Sequence, residues 1–191
     1  MNTFNYKKSV QALNYLAVLE GGAINYMKAL KLIWLSDRYH LRNHGRTITG
    51  DEYFALKKGP VASCTLDLIK GLKISIEELT YRNIYLTLST NYIISSKYEV
   101  NNKVFSSNEL KVLHTIYNSY CIYNEFELSE LSHSFPEWKE YEEKLKIGKR
   151  YKINVELFYI NFNDCTKLFI NSEEEINDIK EYQSTFHPAY C

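Results

Sequence analysis

Apolar residues return at helical spacing twice near the start of the chain. Between Asn5 and Leu19 they fall at Val10, Leu13, Leu16, Ala17 and Leu19, and Gly21-Gly22 supplies the stop. Asn25 is placed to cap a second helix, in which Met27, Leu30, Ile33, Trp34 and, two turns on, Leu41 make one stripe before Gly45 ends it. Asp37 falls on that stripe. The next segment, DEYFALKKGPV, predicts a short extended or turn-bounded piece, while the Thr49 to Glu52 spacing also fits a helix capping box. Pro60 keeps Gly59 out of the right-handed helical region and then opens a helix toward Leu72. Alternation of Ile84, Leu86 and Leu88 with Tyr85, Thr87 and Ser89 predicts a half-buried strand, and with it a small antiparallel hairpin or three-stranded sheet.

The second half of the chain reads as helical. Three Ser-x-x-Glu pairs, Ser106 to Glu109, Ser134 to Glu137 and Ser172 to Glu175, have capping-box spacing. Leu110, Leu113, Ile116 and Tyr117 share one face, and Pro136 restarts a helix with Trp138 and Tyr141 on its apolar side. The pattern predicts an α+β fold, mostly α-helical: a compact helical domain with a small antiparallel β-sheet or hairpin over residues 1–150. Residues 151–191 are expected to form a helical C-terminal appendage packed on the same domain.

Charge removes some functions from this picture. Lys plus Arg (23) equal Asp plus Glu (23), so no bulk positive field exists to hold a phosphate backbone or an anionic membrane. The charges are segregated locally: seven glutamates face one lysine from Glu125 to Glu143, whereas Lys144 to Lys152 carries five basic residues and no acid. Such runs make either two solvated faces or complementary patches for a partner. Cys64, Cys121, Cys165 and Cys191 form no CxxC pair, and neither a signal peptide nor a bilayer-length apolar run is present, so a cytoplasmic protein with reduced thiols and no membrane attachment is expected.

Candidate chemistry concentrates in WLSDRYHLRNHGRTITGD, Trp34 to Asp51. Asp37, His40 and His44 stand at i, i+3 and i+7, close enough to one helix face to offer three metal ligands, although no HExxH accompanies them. Arg38, Arg42 and Arg46, three of only five arginines, recur every fourth position with Lys57 and Lys58 beyond, which would give a basic ridge for DNA beside Tyr39. GPVASC is no nucleophile elbow, and the chain has neither GxGxxG nor a P-loop, so catalysis and nucleotide binding have no local support. A third reading follows from cost: a carboxylate on an apolar stripe needs partners, since an uncompensated buried charge costs several kcal/mol. Here Asp37 and Asp51 would pair with Arg38, Lys57 or His40, helped by the Thr47 and Thr49 hydroxyls, and pin the Thr-Gly turn against the second helix.

Taken together, KALKLIWLSDRYHLRNHGRTITGDEYFALKKGPVASCTLDLIKGL resembles the signature of the SocA-like antitoxin family, the Panacea domain. The shared features are a Lys-Leu-hydrophobic run, Asp-Arg-Tyr-His, Gly-Arg-x-Ile-Thr-Gly-Asp, an aromatic-rich step and Gly-Pro-Val before a helix. ELSELSHSFPEWKEY resembles its C-terminal element, and the likeness covers about residues 5 to 150. Trp34 and Ser36 depart from the usual aromatic-Ala pair, and Ala62 stands where a second proline is common. The resemblance implies a mostly helical α+β domain that neutralises a co-encoded toxin by direct binding, in bacterial or prophage toxin–antitoxin pairs, with no catalytic residue and no cofactor. One type of member acts instead as an adaptor delivering its toxin to a Clp-type protease. With Lys57 from the clamp reading, the candidate residues are Asp37, Arg38, Tyr39, His40, Arg46, Thr49, Gly50, Asp51, Lys57, Gly59, Pro60, Val61, His133 and Trp138.

Overall fold

In a computed structural model that describes residues 4–186, two helices run through the centre of the molecule. Helix α1 (Tyr6–Leu19) starts at Asn5, whose side chain accepts from the Lys8 amide, and buries Val10, Leu13, Leu16 and Ala17. Helix α2 (Tyr26–His44) starts at Asn25, whose side chain accepts from the Met27 amide, and stops at Gly45 in the left-handed region (φ 68°) that a residue with a Cβ adopts only with strain. From Lys28 to Arg42 almost every α2 residue is buried, charged ones included. A helix covered on all sides yet rich in polar residues must satisfy those groups inside the protein.

Two small antiparallel sheets flank the helices. One has the order β1-β5-β4, from β1 (Ala23–Asn25), β4 (Leu86–Leu88) and β5 (Ile93–Ser96), with Ile24 opposite Ile94. The other has the order β3-β2-β6, from β2 (Tyr53–Leu56), β3 (Gly59–Ala62) and β6 (Arg150–Lys152), with Ala55 opposite both Pro60 and Tyr151. Pro60 is tolerated because β3 is an edge strand, where a missing amide donor breaks no ladder. The remaining helices are α3 (Ser63–Lys70), α4 (Ile76–Tyr85), α5 (Ser107–Tyr120), α6 (Glu125–Ser132), the single turn α7 (Pro136–Lys139) and α8 (Glu173–Phe186). The fold is α+β and mostly helical, as the apolar pattern predicts.

Several local expectations are corrected. Ile84 and Tyr85 belong to α4, not to a strand, because a capping box at Ser75 and Glu78 starts a helix there. Tyr81 on that helix packs edge-on to Tyr6 and accepts from Gln11, and these contacts outweigh the alternation further along. Pro60 lies within β3, so the helix that follows opens at Ser63 instead. Thr49 is no cap for Glu52, since its hydroxyl donates to Asp37. The boxes at Ser106 and Ser172 form, whereas Ser134 caps nothing: α7 begins after Phe135, and Glu137 turns inward. An unforeseen box joins Asn124 and Glu127.

The C-terminal segment is α-helical only from Glu173. Before it come β6, a 3-10 turn at Val155–Tyr159 and an irregular stretch that sends Phe158 and Phe169, both fully buried, into the common core. Removing residues 150–191 is therefore expected to abolish cooperative unfolding. Two buried aromatics at about 3 to 5 kcal/mol each equal much of a domain's usual net stability of about 5 to 15 kcal/mol. Circular-dichroism melting of the truncated chain checks this, and a sharp transition near the full-length midpoint would contradict it.

Candidate functional site

Asp37 lies two-thirds of the way along α2 and is 0% exposed. Its Oδ1 accepts from the amides of Ile48 (2.7 Å) and Thr49 (3.0 Å), and its Oδ2 accepts from the Thr49 hydroxyl (2.5 Å) and the Tyr53 hydroxyl (2.8 Å). The loop after α2 and the first residue of β2 are thus tied to one carboxylate. Gly50 adds a bond from its amide to Thr47 Oγ1. Asp51, two residues past Thr49, repeats the arrangement at the next joint. Its carboxylate accepts from the Cys64 amide (2.7 Å) and from the Thr65 amide (2.8 Å) and hydroxyl (2.6 Å), capping the otherwise uncapped N-terminus of α3. Thr65 in turn meets Ser9 of α1 at 2.8 Å. The expected clamp exists, but its partners are amides and hydroxyls, not Arg38, Lys57 or His40. Neutral donors suffice because each oxygen receives one or two of them.

Burial governs the ionisation of these groups. It pushes Asp37 from 3.8 up to about 6 against the pull of the Thr49 and Tyr53 bonds, and it raises Asp51 against its bonds to Thr65 and Cys64. His40, whose Nδ1 lies 2.6 Å from the Arg46 carbonyl oxygen, is pushed down to about 4 by burial. A carbonyl can only accept, so Nδ1 carries the proton of a neutral ring. The His40 and His44 rings lie 4.5 Å apart, but Asp37 turns to the loop away from them. Among the described residues no three His, Cys, Asp or Glu side chains are grouped as a metal would require; Cys191 lies outside those residues.

The arginines form no exposed ridge. Arg38 and Arg42 are fully buried. Arg38 pairs with Glu137 (2.9 Å), donates to the Ile160 carbonyl (2.7 Å) and lies over the Phe135 and Phe169 rings. Arg42 donates to the Phe158 carbonyl (2.9 Å), Asn161 (2.6 Å) and Asn171 (2.8 Å). Burial lowers Arg38 and raises Glu137, and each partner opposes the other's shift. Arg46 alone reaches the surface, and it shares Glu109 with Lys8, each at 2.6 Å. The DNA-ridge reading fails on this geometry: i, i+4 spacing aligns the three arginines along α2, and the face on which the first two lie is covered by α7 and the C-terminal segment. Tyr39 also turns inward, edge-on to Phe169.

The β2–β3 hairpin is held at its far end by a second set of contacts. Lys31 Nζ donates to the Pro60 carbonyl (2.8 Å), Ser129 Oγ to the Lys58 carbonyl (2.9 Å) and Trp138 Nε1 to the Leu56 carbonyl (2.8 Å). His133 stacks on Trp138 with 4.1 Å between ring centroids. Gly59 (φ 92°) is fixed by space as well as by conformation, because a Cβ there would come within 2.0 Å of Ser132 Oγ. Val61 is half-buried, and the Lys57 side chain is exposed and takes no part in the clamp. Thr65, Glu109, Ser129 and Ser132 carry no sequence signal for these roles. Lys31 carries one, since it lies on the Met27–Trp34 stripe, where a lysine needs a buried acceptor.

The segment that holds all these contacts from Lys31 to Trp138 also has a family counterpart. A family model described as antitoxin SocA-like, Panacea domain, matches residues 30–139. The chain belongs to that family. No curated protein and no solved structure matches the chain. The match leaves out α1 and everything after Lys139, so it is narrower than the span of the sequence resemblance. In this Panacea domain the two buried arginines end on the carbonyls of Phe158 and Ile160, beyond the matched stretch. Membership ties the chain to toxin–antitoxin biology, and no described helix is long and apolar enough to cross a membrane.

Replacing Asp37 with alanine strands two amides and two hydroxyls and is expected to cost about 3 kcal/mol. Because burial raises Asp37, its contribution is fully present below 3.8 and is lost as pH rises through about 6. Asp37→Asn, which keeps an acceptor oxygen and carries no titrating proton, should lose less and show a flatter profile across that interval. Urea unfolding of the three proteins over a pH series checks both expectations, and parallel profiles for Asp37→Asn and the parent would refute the second.

Proposed function

We propose that this protein is the antitoxin of a toxin–antitoxin pair and neutralises a co-encoded toxin by binding it directly in the cytoplasm, with no cofactor and no catalytic step. Besides family membership, one observation carries this reading: of the charged residues of the family signature, Asp37, Arg38 and Asp51 point inward. Asp37, Arg38 and Asp51 bond to the protein's own backbone and side chains, as does the neighbouring Arg42, so the signature builds a frame. What such a frame presents outward is a fixed surface, and a fixed surface suits stoichiometric binding. Exposed apolar and aromatic side chains, including Ile122, Phe126, Tyr92 and Tyr98, supply material of the kind that interfaces use.

Delivery of the toxin to a Clp-type protease needs the same docking step and is separated from direct inhibition by the fate of the toxin. The test is expression of a short neighbouring reading frame with and without this chain. Growth arrest by the neighbour alone, rescue by this chain, co-purification of the two and an unchanged amount of toxin are expected. Rescue accompanied by disappearance of the toxin would assign the adaptor role, and no rescue would overturn the antitoxin reading.

A further inference from the structure

An open groove of about 520 Å³ lies where α2, the β2–β3 hairpin and α3 meet. Its floor is apolar, built from Met27, Leu30, Leu56, Val61 and Leu66. Its rim is basic: Lys57 and Lys58 from the hairpin turn, Lys70 from the end of α3 and Lys149 before β6, all exposed. Among the described residues no acidic side chain lines it, and none of these four lysines forms an ion pair. In a chain of zero net charge, four unpaired cations around one apolar floor are a local excess that a ligand of opposite charge would balance.

The buried Lys31 also borders the groove, but its ammonium is committed to the Pro60 carbonyl, so recognition falls to the rim. That bond also limits how a partner can dock. Strand β3 is an edge, yet Pro60 has no amide to offer and its carbonyl is taken by Lys31, while the Lys58 carbonyl is taken by Ser129. Strand addition is therefore blocked along this edge, and side chains must do the docking. We propose that the groove receives an acidic amphipathic helix of the toxin, apolar side chains on the floor and carboxylates against the lysine rim. The proposal rests on the antitoxin reading for the identity of that partner. The chain's own acidic run suits the groove of a second copy poorly, since Glu137 is buried against Arg38 and Glu125 accepts from Asn25.

The full-length chain is compared with K57E/K58E/K70E/K149E and with a control, K7E/K103E/K111E/K167E, that reverses as many exposed lysines away from the groove. Thermal melting verifies that both fold. The probe is a labelled helical peptide with leucines at i, i+3, i+4 and i+7 and glutamates elsewhere. The parent and the control should bind it alike, the groove variant about tenfold or more weakly, and added salt should weaken the parent's binding. The same variants enter the rescue assay, where the groove variant should fail and the control succeed. Equal peptide binding or equal rescue by the groove variant would overturn the proposal. So would preference for phosphatidylglycerol vesicles over the peptide, or a parent dimer that the groove variant breaks. If the parent rescues nothing, the antitoxin reading falls on its own, and the peptide titration still decides the groove: selective loss supports it and absence of binding overturns it.

Discussion

A carboxylate shut away from water on the inside of a helix constrains everything around it. Asp37 has no cation beside it, so its two oxygens must be met by donors aimed from elsewhere in the chain, and those donors are the amides of Ile48 and Thr49 and the hydroxyls of Thr49 and Tyr53. Meeting that need fixes the path of the loop after Gly45. It also fixes where β2 begins, and with it the register that sets Ala55 opposite Pro60. Asp51 then applies the same device one joint later and aims α3 by its N-terminal amides. Two carboxylates fourteen positions apart thereby set the direction of a helix, a loop, a hairpin and another helix.

The buried arginines extend the frame in the opposite direction. A guanidinium carries five donors and cannot shed its charge in a protein, so Arg38 and Arg42 require acceptors in the interior. Glu137 supplies one, and others come from the carbonyls of Phe158 and Ile160 and the side chains of Asn161 and Asn171. The stretch matched by the family therefore leans on a segment outside it. Ion pairs of this kind add little net stability compared with an apolar core of equal volume. What they contribute here is geometry, because an apolar contact would leave the Phe158–Ile160 turn free to slide and a forked donor does not.

Legibility in the sequence followed the range of the interaction. The cap at Asn25, the stop at Gly45 and the stripe of α2 are set within a few residues, and all could be read directly. The misplacement of Asp37 on an apolar stripe was equally plain, and it located the clamp. Its partners were read too electrostatically: a local list of charges favours Arg38 and Lys57, whereas in three dimensions the nearest groups are main-chain amides, which every sequence contains and none advertises. Glu137 was hidden by a coincidence of spacing, since three residues after Ser134 it fits a capping box as well as it fits a buried ion pair. Ile84 and Tyr85 went the same way, because a short alternating run cannot reveal that Ser75 and Glu78 have already begun a helix. The Phe158 and Phe169 core positions depend on contacts across more than a hundred residues and leave no local trace.

The separation of charge by depth gives the molecule its functional logic. Of the basic residues near the hairpin, Lys31, Arg38 and Arg42 are buried and each is held by acceptors of the protein itself, whereas Lys57, Lys58, Lys70 and Lys149 stand in solvent and form no ion pair among the described residues. The first group holds a fixed shape because moving any member would strand a buried charge; the second group costs nothing to hold apart in water and gains only when an anion arrives. A rigid floor lets an incoming helix keep most of its contact energy, since little ordering remains to be done on this side of the interface. The two sets are joined at Pro60, whose carbonyl takes the Lys31 proton donor and whose missing amide denies the edge to a strand. One residue of the signature thus fixes the hairpin on its inner side and restricts the outer side to recognition by side chains.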